Sequence, residues 1–191
     1  MIGAHLDSWH SAAGATDNAD GAAVTLEAMR ILKALGVRPR RTIRMALWGG
    51  EEQGLHGSRR YVERYLSGDD NVAARDNFSV YFNLDPGAGP IKGFFLEGNE
   101  AVQSFFAANL EPFADLDSTI LNMGGICCTD HLSFIGEDLP GFQPIHSYDD
   151  YDVRTHHTNV DSYERINEQD LEQASVVMAS LLYHAAMRDE K

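Results

Sequence analysis

Cysteine is almost missing from this sequence: its 191 residues hold two, the adjacent Cys127 and Cys128. A bridge between neighbouring cysteines is strained and uncommon. The expected state is therefore two small, partly buried thiols, which leave the redox compartment undecided. Basic residues are also few, 15 against 29 acidic ones, for a formal net charge of −14. Such a surface repels phosphate backbones, which excludes nucleic acid as a partner. There is no apolar run long enough to span a bilayer, and no signal peptide, internal repeat, low-complexity tract or linker. The start lacks a lead-in: Met1-Ile2-Gly3-Ala4-His5 reads as the end of a strand, so residues that normally precede it are expected to be missing, and the lack of an export signal here says little about compartment.

What remains is a hydrophobic fraction of 43%, enough for a sizeable core, in a length that fits one domain over residues 1–191. Strand-like and helix-like periodicities alternate. Strands are expected at residues 2–6, 42–48 (with Ile43, Met45 and Leu47 on one face), 78–84 and 91–96, and more weakly at 119–122 and 141–145. The strand at 78–84 is stopped by Pro86-Gly87. Helices are expected from Gly21 to about Leu35, with Asp20 as N-cap and Gly36 as C-cap, and at 58–66, 100–110 and 167–187. The last carries an inner stripe of Leu171, Ala174, Val177, Met178, Leu181, Leu182 and Ala185. Residues 67–77 read as polar turns. The alternation implies an α/β fold with a largely parallel sheet covered by helices on both faces. In such folds functional residues gather beyond the carboxyl ends of the strands.

Residues with metal-ligand chemistry fall at those ends. In His5-Leu6-Asp7, strand alternation puts both polar side chains on one side, where the Asp7 carboxylate is placed to take the second N–H of a ligating imidazole. In Thr16-Asp17-Asn18-Ala19-Asp20-Gly21, Asp20 reads as a helix cap. Asp17 lies too far ahead of the helix for that, and a short carboxylate can bridge two cations. In Trp48-Gly49-Gly50-Glu51-Glu52, an apolar strand runs into glycines and then two acids. Neighbouring side chains point different ways, so Glu52 can bind metal while Glu51 faces the water that hydrolysis consumes, as proton acceptor and later donor. Asp85 ends a buried strand, where the simple alternative is a turn-starting Asp before Pro86. His156-His157 lies in a polar loop. Each motif is weak alone. Together His5, Asp17, Glu52, Asp85 and His157 supply mixed nitrogen and oxygen ligands for two ions, with one carboxylate shared. That mixture suits zinc, with cobalt or manganese conceivable. No Ser–His–Asp nucleophile elbow, His-Glu-x-x-His helix or phosphate-binding P-loop is present.

The order His-x-Asp, Asp-Asn-x-x-Gly, Glu-Glu, strand-ending Asp, then His-Thr-x-x-Asp resembles the co-catalytic dinuclear-zinc aminopeptidases. GAHLDSWHSAAGATDNADGAA, RPRRTIRMALWGGEEQGLHGS and RTHHTNVDSYERI resemble the carboxypeptidase Q branch (plasma glutamate carboxypeptidase) and its bacterial relatives. The likeness runs from residue 2 almost to the end. It implies a three-layer sandwich with a mostly parallel mixed central sheet, of which this chain lacks the N-terminal part. It also implies two zinc ions, one on His5 and Asp85, the other on Glu52 and His157, with Asp17 between them and Glu51 as general base. Asp7, Asp130, His131 and Asp161 become supporting or substrate-contact candidates, with Asp130 and His131 in a Thr-Asp-His segment like one that lines the family's site. The implied reaction is hydrolysis of the peptide bond next to a free amino terminus, in peptides or dipeptides. The implied location is periplasmic or extracellular. Oligomeric state is open, homo-oligomers included. Two other readings remain: a glutaminyl-cyclase-like acyltransferase, and an inactive truncated homologue. Phe142, Tyr148 and Tyr151 lie near the matched loops and can shape an apolar pocket, although Phe142 is a natural core residue.

Overall fold

The computed structural model describes residues 1–86 and 88–189. Gly87, read above as part of a strand stop, lies outside them. Four parallel strands form the first sheet, in the order β2 (Met45–Trp48), β1 (Ile2–His5), β3 (Tyr81–Asn83), β6 (Gly141–Phe142). The registers pair His5 with Trp48 and Gly3 with both Ala46 and Asn83. A second sheet has the order β5 (Ile120–Asn122), β4 (Ile91–Phe95), β7 (Pro144–His146), with β7 antiparallel to β4. Gln143 joins the two sheets, because its carbonyl accepts from the N–H of Phe95.

The expected single strand at 141–145 is thus two short strands in different sheets. Pro144 has no N–H to offer a ladder, so it opens a strand with a new partner. The expected strand at 42–48 begins only at Met45. Its alternation holds: Ile43, Met45 and Leu47 pack on one core, Ala46 and Trp48 on another. Those two cores are the two faces of the sheet. On the first, Ile2, Ala4, Phe82 and Leu84 meet α1 (Asp20–Ala34), α4 (Gln103–Leu110) and α6 (Glu168–Met187). The stripe predicted on α6 is the one buried there. On the second, Trp48 and Tyr81 meet Val62 of α2 (His56–Tyr65) and Phe134 of α5 (His131–Ile135). The result is the mixed three-layer α/β sandwich expected from the sequence.

Two short helices escaped the sequence reading. One is α3 (Val72–Asn77), no residue of which is buried, so no apolar stripe announces it. The other is α5, with five residues, too short for a periodic signal. Asp20 is the first residue of α1 rather than its cap, and its carboxylate accepts from the N–H of Gly21. Gly36 sits at φ +65°, as a helix-ending residue does.

Candidate metal centre

The parallel strands deliver four of the candidate side chains to one end of the sheet. His5 closes β1, the Glu51–Glu52 turn follows β2, and Asp85 follows β3 by two residues. Asp17 comes from the turn before α1, and His157 from the loop before α6. All five predicted ligands converge. His5 Nε2 lies 3.1 Å from Asp17 Oδ1 and 3.1 Å from Asp85 Oδ1. His157 Nε2 lies 3.1 Å from Glu52 Oε2 and 3.3 Å from Asp17 Oδ2. The two oxygens of Asp17 therefore face two different imidazoles. His5 is fully buried and Asp17, Glu52 and Asp85 nearly so, while His157 is 39% exposed and opens to solvent.

Glu51 reaches the same place: one of its oxygens, a ring nitrogen of His5 and an oxygen of Asp85 lie within 4.8 Å of one another. Burial, with the charge of Asp85 next, pushes Glu51 up to about 9. Burial and the charge of Asp17 push Glu52 up to about 7. Burial pulls His5 down, but hydrogen bonds to Asp17 and Asp85 and their charges prevail and raise it to about 12. So many acids around so little positive charge is an arrangement that a cation relieves.

The donor set fits zinc. Imidazole nitrogens and carboxylate oxygens stand 3.1–3.3 Å apart, close enough to share an ion. Glu52 Oε1 is buried without a hydrogen-bond partner, an acceptor left free for an ion. His156 also has a ring nitrogen within reach of Asp17 and His157, but it stacks on Tyr151 at 4.8 Å, and Glu52 is the buried partner on that side.

The supporting candidates fall differently. Asp7 does not take the N–H of His5 through its carboxylate, as expected. His5 Nδ1 is 2.9 Å from the Asp7 backbone carbonyl and 3.7 Å from its carboxylate. The carboxylate instead accepts from the N–H groups of Glu51 and Glu52, at 3.1 and 3.2 Å. Asp7 thus fixes the tautomer through its main chain and the acidic turn through its side chain. Asp161 accepts from the N–H and hydroxyl of Thr16 and from the N–H of Asp17, which ties the Asp17 turn to the His157 loop. Asp130 is buried; its Oδ1 accepts from Ser58, and its Oδ2 has no partner. Burial, opposed by Ser58, brings it up to about 7. His131 pairs with Glu97, at 3.2 Å, and with none of the five convergent residues.

Tyr151, read only as a pocket residue, donates to Asp17 Oδ2 at 2.9 Å. Its place six residues before His157 was the one available hint. Phe142 is core, as expected. Cys127 and Cys128 are not thiols but a disulfide, and both are exposed. An extended chain would send their side chains to opposite sides; Cys128 is instead at φ +80°, in a turn.

The Asp-Asn-x-x-Gly pattern also gains a reason. Asn18 follows Asp17 across a cis peptide bond, and its amide donates to the carbonyl of Leu84 at 2.7 Å. Gly21 lies against that contact: a Cβ there would overlap Asn18 Oδ1 and stand 2.7 Å from the Leu84 oxygen. Gly21→Ala is expected to destabilise the fold by about 1–3 kcal/mol, as overpacking does. Urea unfolding with an unchanged m-value checks this.

An α/β sandwich with imidazoles and carboxylates gathered beyond parallel strand ends defines a protein with a candidate metal centre. The chain belongs to peptidase family M28, whose model matches residues 1–182. Carboxypeptidase Q of Homo sapiens is 29% identical over 191 residues, covering 100% of this chain and 39% of that protein. Among solved structures, a peptidase M28 precursor from Shewanella amazonensis superposes with a TM-score of 0.87 at 27% identity, covering 100% of this chain and 41% of that one. BSAP, a zinc aminopeptidase from Bacillus subtilis, gives 0.80 at 26% identity, covering 100% and 46%. The chain thus spans about two fifths of the length of the curated relatives it matches.

Proposed function

We propose that this chain carries the two-zinc centre of an exopeptidase that hydrolyses the peptide bond next to a free amino terminus. One observation carries the reading: the Asp17 carboxylate presents one oxygen toward His5 and the other toward His157, with Asp85 and Glu52 completing the two sets. When bound, zinc would supply Lewis acidity to a water and to the scissile carbonyl, and the positive charge that brings Glu51 down from about 9 toward neutrality. Glu51 then accepts a proton from the attacking water and returns it to the departing amine. Asp7 holds the Glu51–Glu52 turn through two N–H groups, which fixes the reach of the Glu51 carboxylate. Tyr151 and Asp161 hold Asp17 from its side chain and its backbone.

Among the described residues no helix is long and apolar enough to cross a membrane. Periplasmic or extracellular placement belongs to the same proposal. The exposed disulfide supports it, since disulfides persist in oxidising compartments.

The purified chain is expected to hold two zinc ions by elemental analysis. A panel of aminoacyl substrates and dipeptides should be hydrolysed, with the activity lost to chelator and restored by zinc. N-acetylated versions should resist. Fewer than one ion per chain, or chelator-resistant hydrolysis, overturns the proposal.

A further inference from the structure

A run of buried side-chain hydrogen bonds crosses the sheet on the face covered by α2 and α5. Trp48 Nε1 donates to the Tyr81 hydroxyl at 2.7 Å, and that hydroxyl donates to Asn83 Oδ1 at 2.7 Å. Asn83 Nδ2 donates to Thr129 Oγ1 at 2.8 Å and to Gln143 Oε1 at 2.9 Å. Gln143 Nε2 donates to the backbone carbonyl of Asp85. Tyr81, Asn83 and Gln143 are fully buried. Gly3 makes room for the run: a Cβ there would stand 2.6 Å from the Tyr81 hydroxyl.

The direction of this run is determined at both ends. An indole N–H can only donate and a carbonyl can only accept. With Trp48 at one end and Asp85 at the other, each hydroxyl and amide between them has a single orientation that satisfies its neighbours. The far end is where the chain has need of it. The N–H of Leu84 makes a ladder bond to Gly3, and Pro86 has no N–H. The carbonyls of Leu84 and Asp85 are served by side-chain amides, Asn18 for the first and Gln143 for the second. The Asp85 carboxylate is the group that faces His5.

We propose that Asn83 and Gln143 are positioning residues for Asp85, holding its main chain so that its carboxylate stays aimed at the His5 side of the centre. The proposal rests on the reading of Asp85 as a ligand. A run that merely filled the core would affect both halves of the centre alike. One that acts through Asp85 affects the half built on His5 and Asp85 and spares the half built on Glu52 and His157.

Zinc titration of the metal-free chain by calorimetry tests this. Gln143→Met keeps the length and removes the donor. Asn83→Asp keeps the shape and cannot donate to Gln143, which must turn its amide over and present oxygen to the Asp85 carbonyl. In both variants one ion should bind roughly 10–100-fold more weakly, the usual effect of losing an outer support, with the other within about threefold of wild type. Tyr81→Phe cuts the run upstream and leaves the Asn83–Gln143–Asp85 segment intact, so both ions should bind within about threefold of wild type. Equal loss of both ions in Gln143→Met, no loss, or an effect of Tyr81→Phe as large as that of Gln143→Met overturns the proposal. Amide exchange of the metal-free protein gives a readout without zinc. The peptide over residues 81–86 should lose protection at least about tenfold in Gln143→Met while α6 keeps its own. Equal loss in α6, or none at 81–86, also overturns it. A wild-type chain that holds no zinc refutes the metal reading instead, and the exchange result still decides the placement of Asp85.

Discussion

Glu51→Gln is expected to cut turnover by roughly a hundredfold or more while leaving zinc content within error of wild type, since general-base catalysis is typically worth that much. Gln has nearly the shape of Glu, and the turn is held by backbone N–H groups donating to Asp7, which the substitution does not touch. The donor atoms around Asp17 belong to His5, Glu52, Asp85 and His157, so the ligand set survives. KM should change little if Glu51 acts on the proton and not on ground-state binding. Glu52→Gln, the change one residue on, should behave differently. It removes the carboxylate that faces His157 and should lower metal content together with activity. Elemental analysis beside steady-state kinetics separates the two. Full activity in Glu51→Gln, or zinc loss equal to that of Glu52→Gln, removes Glu51 from the role of general base.

That His5, Glu51, Glu52 and Asp85 gather at one end of the sheet was legible from β geometry. Apolar runs stop abruptly at His5, at Gly49-Gly50 and at Asp85, and in a parallel sheet such stops share one edge. Strand alternation likewise sorted Met45 and Leu47 from Trp48, and helical periodicity picked out the buried stripe of α6. What could not be read belongs to the loops and to the buried polar groups. The Asp7 carboxylate and carbonyl are equally near in sequence to His5; which one bonds the ring depends on where the 49–55 turn closes. Tyr151 and Asp17 are 134 positions apart, and a lone tyrosine in a polar loop carries no sign of its partner. Gln143 reads as a polar interruption in a weak strand, yet it is fully buried and sits where one sheet passes into the next. Adjacent cysteines misled for a related reason: their pairing depends on a local turn at Cys128 that composition does not encode.

The largest effect on stability should come from pH and zinc acting together. In the metal-free chain Glu51, raised to about 9, and His5, raised to about 12, stay protonated after folding at pH values where the unfolded chain has released those protons. The folded state then binds more protons than the unfolded one, and stability must fall as pH rises. For His5 the contribution is full below about 6.5 and is lost on the way to 12. For Glu51 the penalty grows from about 4.5 to 9. Glu52 and Asp130, both near 7, act in the same direction up to that pH. Above the ordinary carboxylate range three groups work the other way. The buried His146, held down to about 4, and the lowered His157 oppose the trend only below about 6.5, and the buried α-amino group of Met1, at about 5, only below 8. Between pH 7 and pH 9 the balance is a loss of stability, carried by His5 and Glu51. The melting temperature of the metal-free chain is expected to fall over the same range. Zinc should abolish the slope, because its ligands bind it only when deprotonated and its affinity therefore rises over the range in which the metal-free chain weakens. Calorimetric scans of chelated and zinc-loaded protein at pH 6, 7, 8 and 9 measure both effects. A metal-free melting temperature that holds level or climbs from pH 7 to 9, or a zinc stabilisation no greater at pH 9 than at pH 6, would mean that the acids around Asp17 are not gathered to receive a cation.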